Sequence, residues 1–257
     1  MKKNHVWPDD NKANELLFSL IKRQADHDNP DAFLNGSNLR YTSRRAMAKL
    51  ISHYEIYKLI QDLPGHVIEL GVFKGESLLR FGQFSEIFNT YDRSFDVIGF
   101  DNFSGFTKLS EQDGAENLVN DKKIGGWSPQ NYKDELHSLI DYFDLTRMAP
   151  QKSRIRLIDG DIEDTVPKFK REFPNTRIKL LHLDADLYEP TMIGLENFWD
   201  NLVVGGCLLL DEYGFDVFQG EAAAVDEFFK TRGINAVIKK FQYSDNPGGY
   251  MIKQQRC

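Results

Sequence analysis

Apolar residues gather in five short, nearly unbroken runs: HVIELG (66–71), DVIGFD (96–101), RIRLID (154–159), IKLLHLD (178–184) and GGCLLLDEY (205–213). Runs of this length, closed by glycine or an acidic residue, predict strands. Segments with helical spacing lie between them, at about 76–88, 163–172, 191–201 and 221–231. A further helix is predicted over 42–61, closed by the breaker Leu63-Pro64-Gly65. Strands that are apolar throughout and alternate with helices predict an α/β fold, a parallel sheet covered on both faces. INAVIKKFQY and GGYMIK, split by SDNPGG, read as an antiparallel hairpin over 234–253.

Two regions depart from this alternation. The first forty-odd residues read as an accessory helical extension (1–45) ahead of the main domain (46–257), with a helix near 11–23 and then the turn-rich DHDNPDAFLNGSN. The long break at 102–153 holds a predicted helix at 131–144 and a segment, 104–130, placed where ligands bind in such sheets. A loop of that length is usually functional, and it reads as a lid.

Composition narrows the class. The chain has 257 residues, 41% hydrophobic and 28% charged, enough for one sizeable α/β core. No apolar run approaches the roughly 20 residues of a membrane span. The start, MKKNHVWPDDNK, lacks the apolar stretch of a secretory signal. Cys207 and Cys257 stand far apart and suggest neither a disulfide framework nor a thiolate metal site. A soluble, cytoplasmic protein is expected. Net charge is −7 without a basic block, which argues against nucleic acid as a partner. The nearest approach, RRAMAK at 44–49, reads as a solvated helix face.

The candidate chemistry sits at the carboxyl ends of the predicted strands. In ELGVFKGES (69–77), Gly71 ends a strand and Gly75 opens a helix, so backbone can approach a ligand there. The G-x-x-x-G spacing fits neither the dinucleotide fingerprint nor the P-loop. Glu69, just before the glycine, would oppose a pyrophosphate but favour a cationic ligand. S-adenosylmethionine, with its sulfonium and ammonium groups, fits better than NAD. Asp101 ends the second strand, where a carboxylate can accept both hydroxyls of a ribose, and Asp161 could reach an adenine amino group. Asp164 or Thr165 reads as a helix cap.

Asp184 closes the fourth strand, and Asp211 and Glu212 close the fifth. Adjacent strands lie about 4.8 Å apart, so these carboxylates can converge. Such crowding is unfavourable unless a cation relieves it. Oxygen-only ligands select a hard ion, magnesium or else manganese or calcium. His182 reads as a hydrogen-bonded core histidine, and His53 and His137 fall on predicted helices without a supporting pattern.

With these residues placed, the chain resembles the macrocin O-methyltransferase-like (TylF-type) family. The resemblance runs from Tyr41 to Lys253 and is carried by VIELGVFKGES, GFDNFSGF, the D-x-D-L-Y-E-P-T run from Asp184 to Thr191, and DEYGFDVFQGE at 211–221. It implies a Rossmann-like class I methyltransferase fold, a seven-stranded, mostly parallel sheet with an antiparallel C-terminal hairpin. It implies cofactor contacts at Glu69, Gly71, Gly75, Ser77, Asp101, Asn102, Phe103 and Asp161. It also implies Mg2+ held by Asp184, Asp211 and Glu212, although the family often has two aspartates at the last two positions.

The expected activity is methyl transfer from S-adenosylmethionine to a hydroxyl of a deoxysugar, carried as a nucleotide sugar or within a glycan or natural product. Asp184 or Asp186 would act as general base, and Tyr188 and residues near Tyr41 could line the acceptor pocket. A homo-oligomer is expected by analogy with the family. The main alternative is a metal-dependent glycosyltransferase using Asp184-Ala185-Asp186. An NAD-dependent enzyme is disfavoured by the glycine spacing, and a non-catalytic binding protein by the intact acidic trio.

Overall fold

The computed structural model describes residues 42–114, 122–129, 131–150 and 152–254, with residues 15, 16, 19, 20 and 22. The chain divides into two compact units, Met1–Met47 and Ala48–Cys257. The predicted helix over 11–23 falls mostly outside the described residues, and Tyr41 and Cys257 fall outside them entirely.

The elements follow in the order α1 (Arg44–Ile60), β1 (His66–Leu70), α2 (Glu76–Phe88), β2 (Val97–Asp101), α3 (Tyr132–Leu145), β3 (Ile155–Asp159), α4 (Ile162–Glu172), β4 (Ile178–Leu183), α5 (Tyr188–Phe198), β5 (Leu202–Leu210), α6 (Gln219–Arg232) and β6 (Gly249–Ile252). The sheet order is β3-β2-β1-β4-β5-β6. Five strands run parallel, and β6 pairs antiparallel to β5. Strand order reverses between β1 and β4, which opens the crevice where ligands bind in such sheets.

Period-two alternation sorts the strand residues into two cores. Ile68, Leu70, Phe100, Leu181 and Leu208 pack beneath α4, α5 and α6 through Val166, Phe169, Leu195 and Phe228. Val67, Val97, Leu180 and Leu209 pack beneath α1, α2 and α3 through Ile56, Tyr57, Phe81 and Leu136. β4, flanked on both edges and covered on both faces, is buried at every position.

Among the described residues the sheet has six strands where seven were expected. The first run of the predicted hairpin keeps its alternation, with Ile234, Ala236 and Ile238 packed toward the core and Val237 exposed. Its backbone meets β6 only at the Lys239–Tyr250 bridge. β6 itself is four residues long and spends its ladder on β5. The cap of α4 also differs from expectation. Asp161, rather than Asp164 or Thr165, is the N-cap, accepting from the Glu163 N–H.

The segment expected as a lid is pinned at several points. Phe106 and Gly125–Gly126 exchange backbone hydrogen bonds. Asp113 caps α5 from outside by accepting from the Tyr188 N–H at 2.7 Å. The fully buried Lys122 amine donates to the Asp113 and Val217 carbonyls. Residues 115–121 between these anchors lie outside the described residues. No helix among the described residues is long and apolar enough to cross a membrane.

Candidate active site

Two loops meet at the switch point. A Cβ on Gly71 (φ +87°) would lie 1.9 Å from the Asp184 carbonyl oxygen, so only glycine lets the chain leaving β1 pass the chain leaving β4. Gly75 (φ +81°) opens α2 in the left-handed region. Asp101 organises the first loop. Its Oδ2 accepts from the Val72 and Phe73 N–H groups at 2.7 and 2.8 Å, and its Oδ1 from the Phe103 N–H at 2.6 Å. Three of its lone-pair sites therefore serve the backbone, which leaves about one for a ribose hydroxyl.

The other expected cofactor residues divide. Asn102 spends its amide within its own turn, on Ser104 and Gly105. Asp161 accepts from the Thr107 hydroxyl as well as capping α4, and stands beside Asp101 through the Gly160 N–H to Asp101 C=O bond. Ser77 and Glu69 turn inward. Glu69 is fully buried, accepts from the Ser77 hydroxyl, and lies 3.2 Å from His182 Nδ1. The cationic partner of Glu69 within the chain is thus His182, its register neighbour on β4.

His182 is more than a core histidine. Its Nε2 lies 3.6 Å from Asp211 Oδ1 and 3.9 Å from Asp184 Oδ2. Neither ring nitrogen is aligned for a hydrogen bond, so these contacts are ion pairs. Burial opposes the imidazolium, but the Asp211 and Glu69 carboxylates outweigh it and push the pKa up to about 10. Lys49 reverses a second expectation. Rather than standing on a solvated face, its amine is 2.9 Å from Asp211 Oδ2 and 3.8 Å from Asp184 Oδ2. His53 is also buried, stacked on Phe81 and 3.0 Å from an Arg80 guanidinium nitrogen.

The acidic residues do converge. Burial comes first and the neighbouring carboxylates second in lifting Asp184 to about 7, and the same pair of causes lifts Glu212 to about 8. Asp186 and Glu221 are pushed well above the usual carboxylate range for the same reasons. Burial would raise Asp211 too, but Lys49 and His182 hold it well below. Asp186 adopts φ +62°, a strained setting for a non-glycine residue. Asn246 ties Asp211 and Glu212 together, donating to Asp211 Oδ2 at 2.9 Å and Glu212 Oε1 at 3.0 Å. Glu221 accepts from the Glu212 N–H.

Asp211 Oδ1 and Glu221 Oε2 are buried without a hydrogen-bond partner. Unspent lone pairs among crowded carboxylates are what a cation would satisfy, and the oxygen donors of Asp184, Asp211 and Glu212 suit a hard divalent ion. The residues present fit such an ion. Among the described residues, the groups whose ligand-capable atoms all lie within 4.8 Å of one another are Glu69–His182–Asp184 and His53–His182–Asp211; the expected trio Asp184, Asp211 and Glu212 is not drawn together that tightly.

Lys49, His182, Asn246 and Glu221 escaped sequence reasoning. The only hint was for His182, a polar residue inside an otherwise apolar strand. Tyr188 is not available to an acceptor pocket: it is buried, and its hydroxyl donates to Glu227 at 2.8 Å.

The family model described as Macrocin-O-methyltransferase (TylF) matches residues 7–250. The chain is 25% identical over 191 residues to the mycinamicin III 3''-O-methyltransferase of Micromonospora griseorubida, a match covering 70% of this chain and 66% of that protein. It is 26% identical over 184 residues to the 8-demethyl-8-(2,3-dimethoxy-alpha-L-rhamnosyl)-tetracenomycin-C 4'-O-methyltransferase of Streptomyces olivaceus, covering 71% of this chain and 64% of that one. The chain thus spans just under two thirds of the length of these curated relatives. The crystal structure of CalS11, a calicheamicin methyltransferase, superposes with a TM-score of 0.85 at 26% identity, covering 96% of this chain and 94% of the other. The glycosyltransferase reading of Asp184-Ala185-Asp186 finds no support among these relatives.

Proposed function

The chain belongs to the macrocin O-methyltransferase family, and from that membership we propose that it transfers a methyl group from S-adenosylmethionine to a sugar hydroxyl, assisted by a magnesium ion. The observation that carries this reading is the passage of the Gly71 loop against Asp184. It sets a candidate donor loop directly beside a crowded carboxylate cluster.

When bound, S-adenosylmethionine offers an electrophilic methyl group, and a divalent ion lowers the pKa of a hydroxyl it holds. The chain supplies the rest. The Gly71–Gly75 loop, Asp101, Phe103 and Asp161 hold the donor, and Asp184, Asp211 and Glu212 hold the ion. Asp186, set by its strained backbone next to that group, takes the proton from the acceptor hydroxyl. Much of the acceleration comes from holding the reacting atoms about 3–3.5 Å apart. The anchored stretches at 104–114 and 122–129 exclude water. The acceptor class we infer is a deoxysugar, the class that the name of the rhamnosyl-tetracenomycin relative specifies.

Calorimetric titration with S-adenosylmethionine and with NAD, each with and without Mg2+, tests this. Saturable binding of the first, lost in Asp101→Ala, is expected. It would be followed by gain of a methyl group on nucleotide-activated or glycoside-borne deoxysugars, read by mass spectrometry. Binding of NAD alone would overturn the proposal.

A further inference from the structure

The Lys49 ammonium stands where a divalent cation would have to stand. It lies 2.9 Å from Asp211 Oδ2 and 3.8 Å from Asp184 Oδ2, the carboxylates that close two adjacent parallel strands. Mg2+ binds carboxylate oxygens at about 2.0–2.1 Å. An ion shared by the same two groups would therefore fall within the volume that the ammonium fills. The surrounding charge sharpens the conflict. Asp184, Asp186, Asp211, Glu212 and Glu221 act on one another, and among the described residues Lys49 and His182 are the cations set against Asp184 and Asp211, with Lys122 acting on Asp186.

Lys49 can leave. Its side chain keeps 24% of its surface exposed, and a four-carbon stem with rotatable bonds can carry the amine outward without moving α1. His182, by contrast, is fully enclosed. We propose that Lys49 is a tethered cation that competes with the divalent ion for the Asp184–Asp211 pair. It neutralises the pocket when the ion is absent, withdraws when the ion binds, and so sets the site's metal affinity. This rests on the metal-assisted reading given above.

Two consequences follow that an ordinary structural lysine would not share. The native protein gains less stability from excess Mg2+ than a protein without the lysine would, because the ion must displace a cation already in place. Lys49→Met, which keeps most of the stem's length, removes the competitor and leaves the carboxylates dependent on metal.

The test is titration of the full-length protein with Mg2+ and with Mn2+, alongside thermal unfolding in EDTA and in excess Mg2+. It compares the native protein, Lys49→Met and Lys49→Arg. The expected result is a metal Kd at least tenfold lower in Lys49→Met, with a Tm deficit in EDTA that Mg2+ closes, while Lys49→Arg behaves as the native protein. Equal or weaker metal binding by Lys49→Met would overturn the proposal, as would a Tm deficit that Mg2+ leaves unchanged. Absence of metal binding in every variant would overturn this proposal and the metal reading together. S-adenosylmethionine binding, measured separately, would still decide the methyl-transfer reading.

Discussion

The two ends of one sheet bury charge of opposite sign and treat it differently. At the amino end, the Arg154 guanidinium donates to the Phe95 and Asp92 carbonyls at 2.7 and 2.6 Å, lies 3.4 Å from Glu86, and stacks over the Phe95 ring. Arg147 joins the same carboxylate at 2.9 Å. At the carboxyl end, buried carboxylates outnumber their cations and keep unpartnered oxygens. Satisfied buried charge specifies a structure, whereas unsatisfied buried charge marks a place prepared for something else. Three amino-end atoms blur the contrast: Glu86 Oε2, Arg147 Nε and the Lys179 amine are also buried without a hydrogen-bond partner, the last resting 3.4 Å over the Phe95 ring.

Substitutions can break this contrast. The largest effect is expected from Asp186→Asn, which removes the proposed base and should lower methyl transfer by about 10²–10⁴-fold. Stability in urea should hold or rise, because one member of a like-charged cluster is gone. A matching loss of stability would mean that the carboxyl end is structural too. Arg154→Met should do the reverse. Two carbonyls lose their donor while Glu86 keeps Arg147, which is expected to cost about 1–3 kcal/mol per carbonyl in urea unfolding, with S-adenosylmethionine affinity unchanged.

The smallest effect sharpens the case of Lys179. Burial, its leading cause, lowers the Lys179 pKa from 10.5 to about 8 in the folded chain. Between those values the unfolded chain holds the proton and the folded chain does not, so stability rises with pH across that window. Below it the full penalty applies. Lys179→Met should therefore stabilise the protein at neutral pH by about 1–3 kcal/mol. The gain should fade as pH nears 10.5, and a pH-independent difference would show that packing, not charge, sets the effect.

Much of the sheet was legible because apolar runs such as HVIEL and IKLLHL can be satisfied only inside a covered sheet, and their terminal acids mark the carboxyl edge. The last strand pair was not, because alternation records which side chains face inward but says nothing about whether a backbone partner is in reach. The approach of Asp184 to Asp211 was legible from strand adjacency. Lys49 and His53 were not. They sit on a helix whose pattern reveals amphipathicity, while their neighbours come from strands more than a hundred residues away. His182 was legible as a core residue of β4, but its partner Glu69 was not, being fixed by register rather than by sequence proximity. Asn246 and Glu221 reach the site from the hairpin turn and from α6, which nothing local announces.

The contact of Gly71 with the Asp184 carbonyl has a consequence for how such a site can change over time. Because main chain meets main chain there, the spacing between the donor loop and the acidic loop is gauged by atoms that every substitution shares. On the proposed methyl-transfer reading, side chains around the acceptor can be exchanged while the reach from donor to acceptor stays constant. That arrangement would let the acceptor change without a change in how it is methylated.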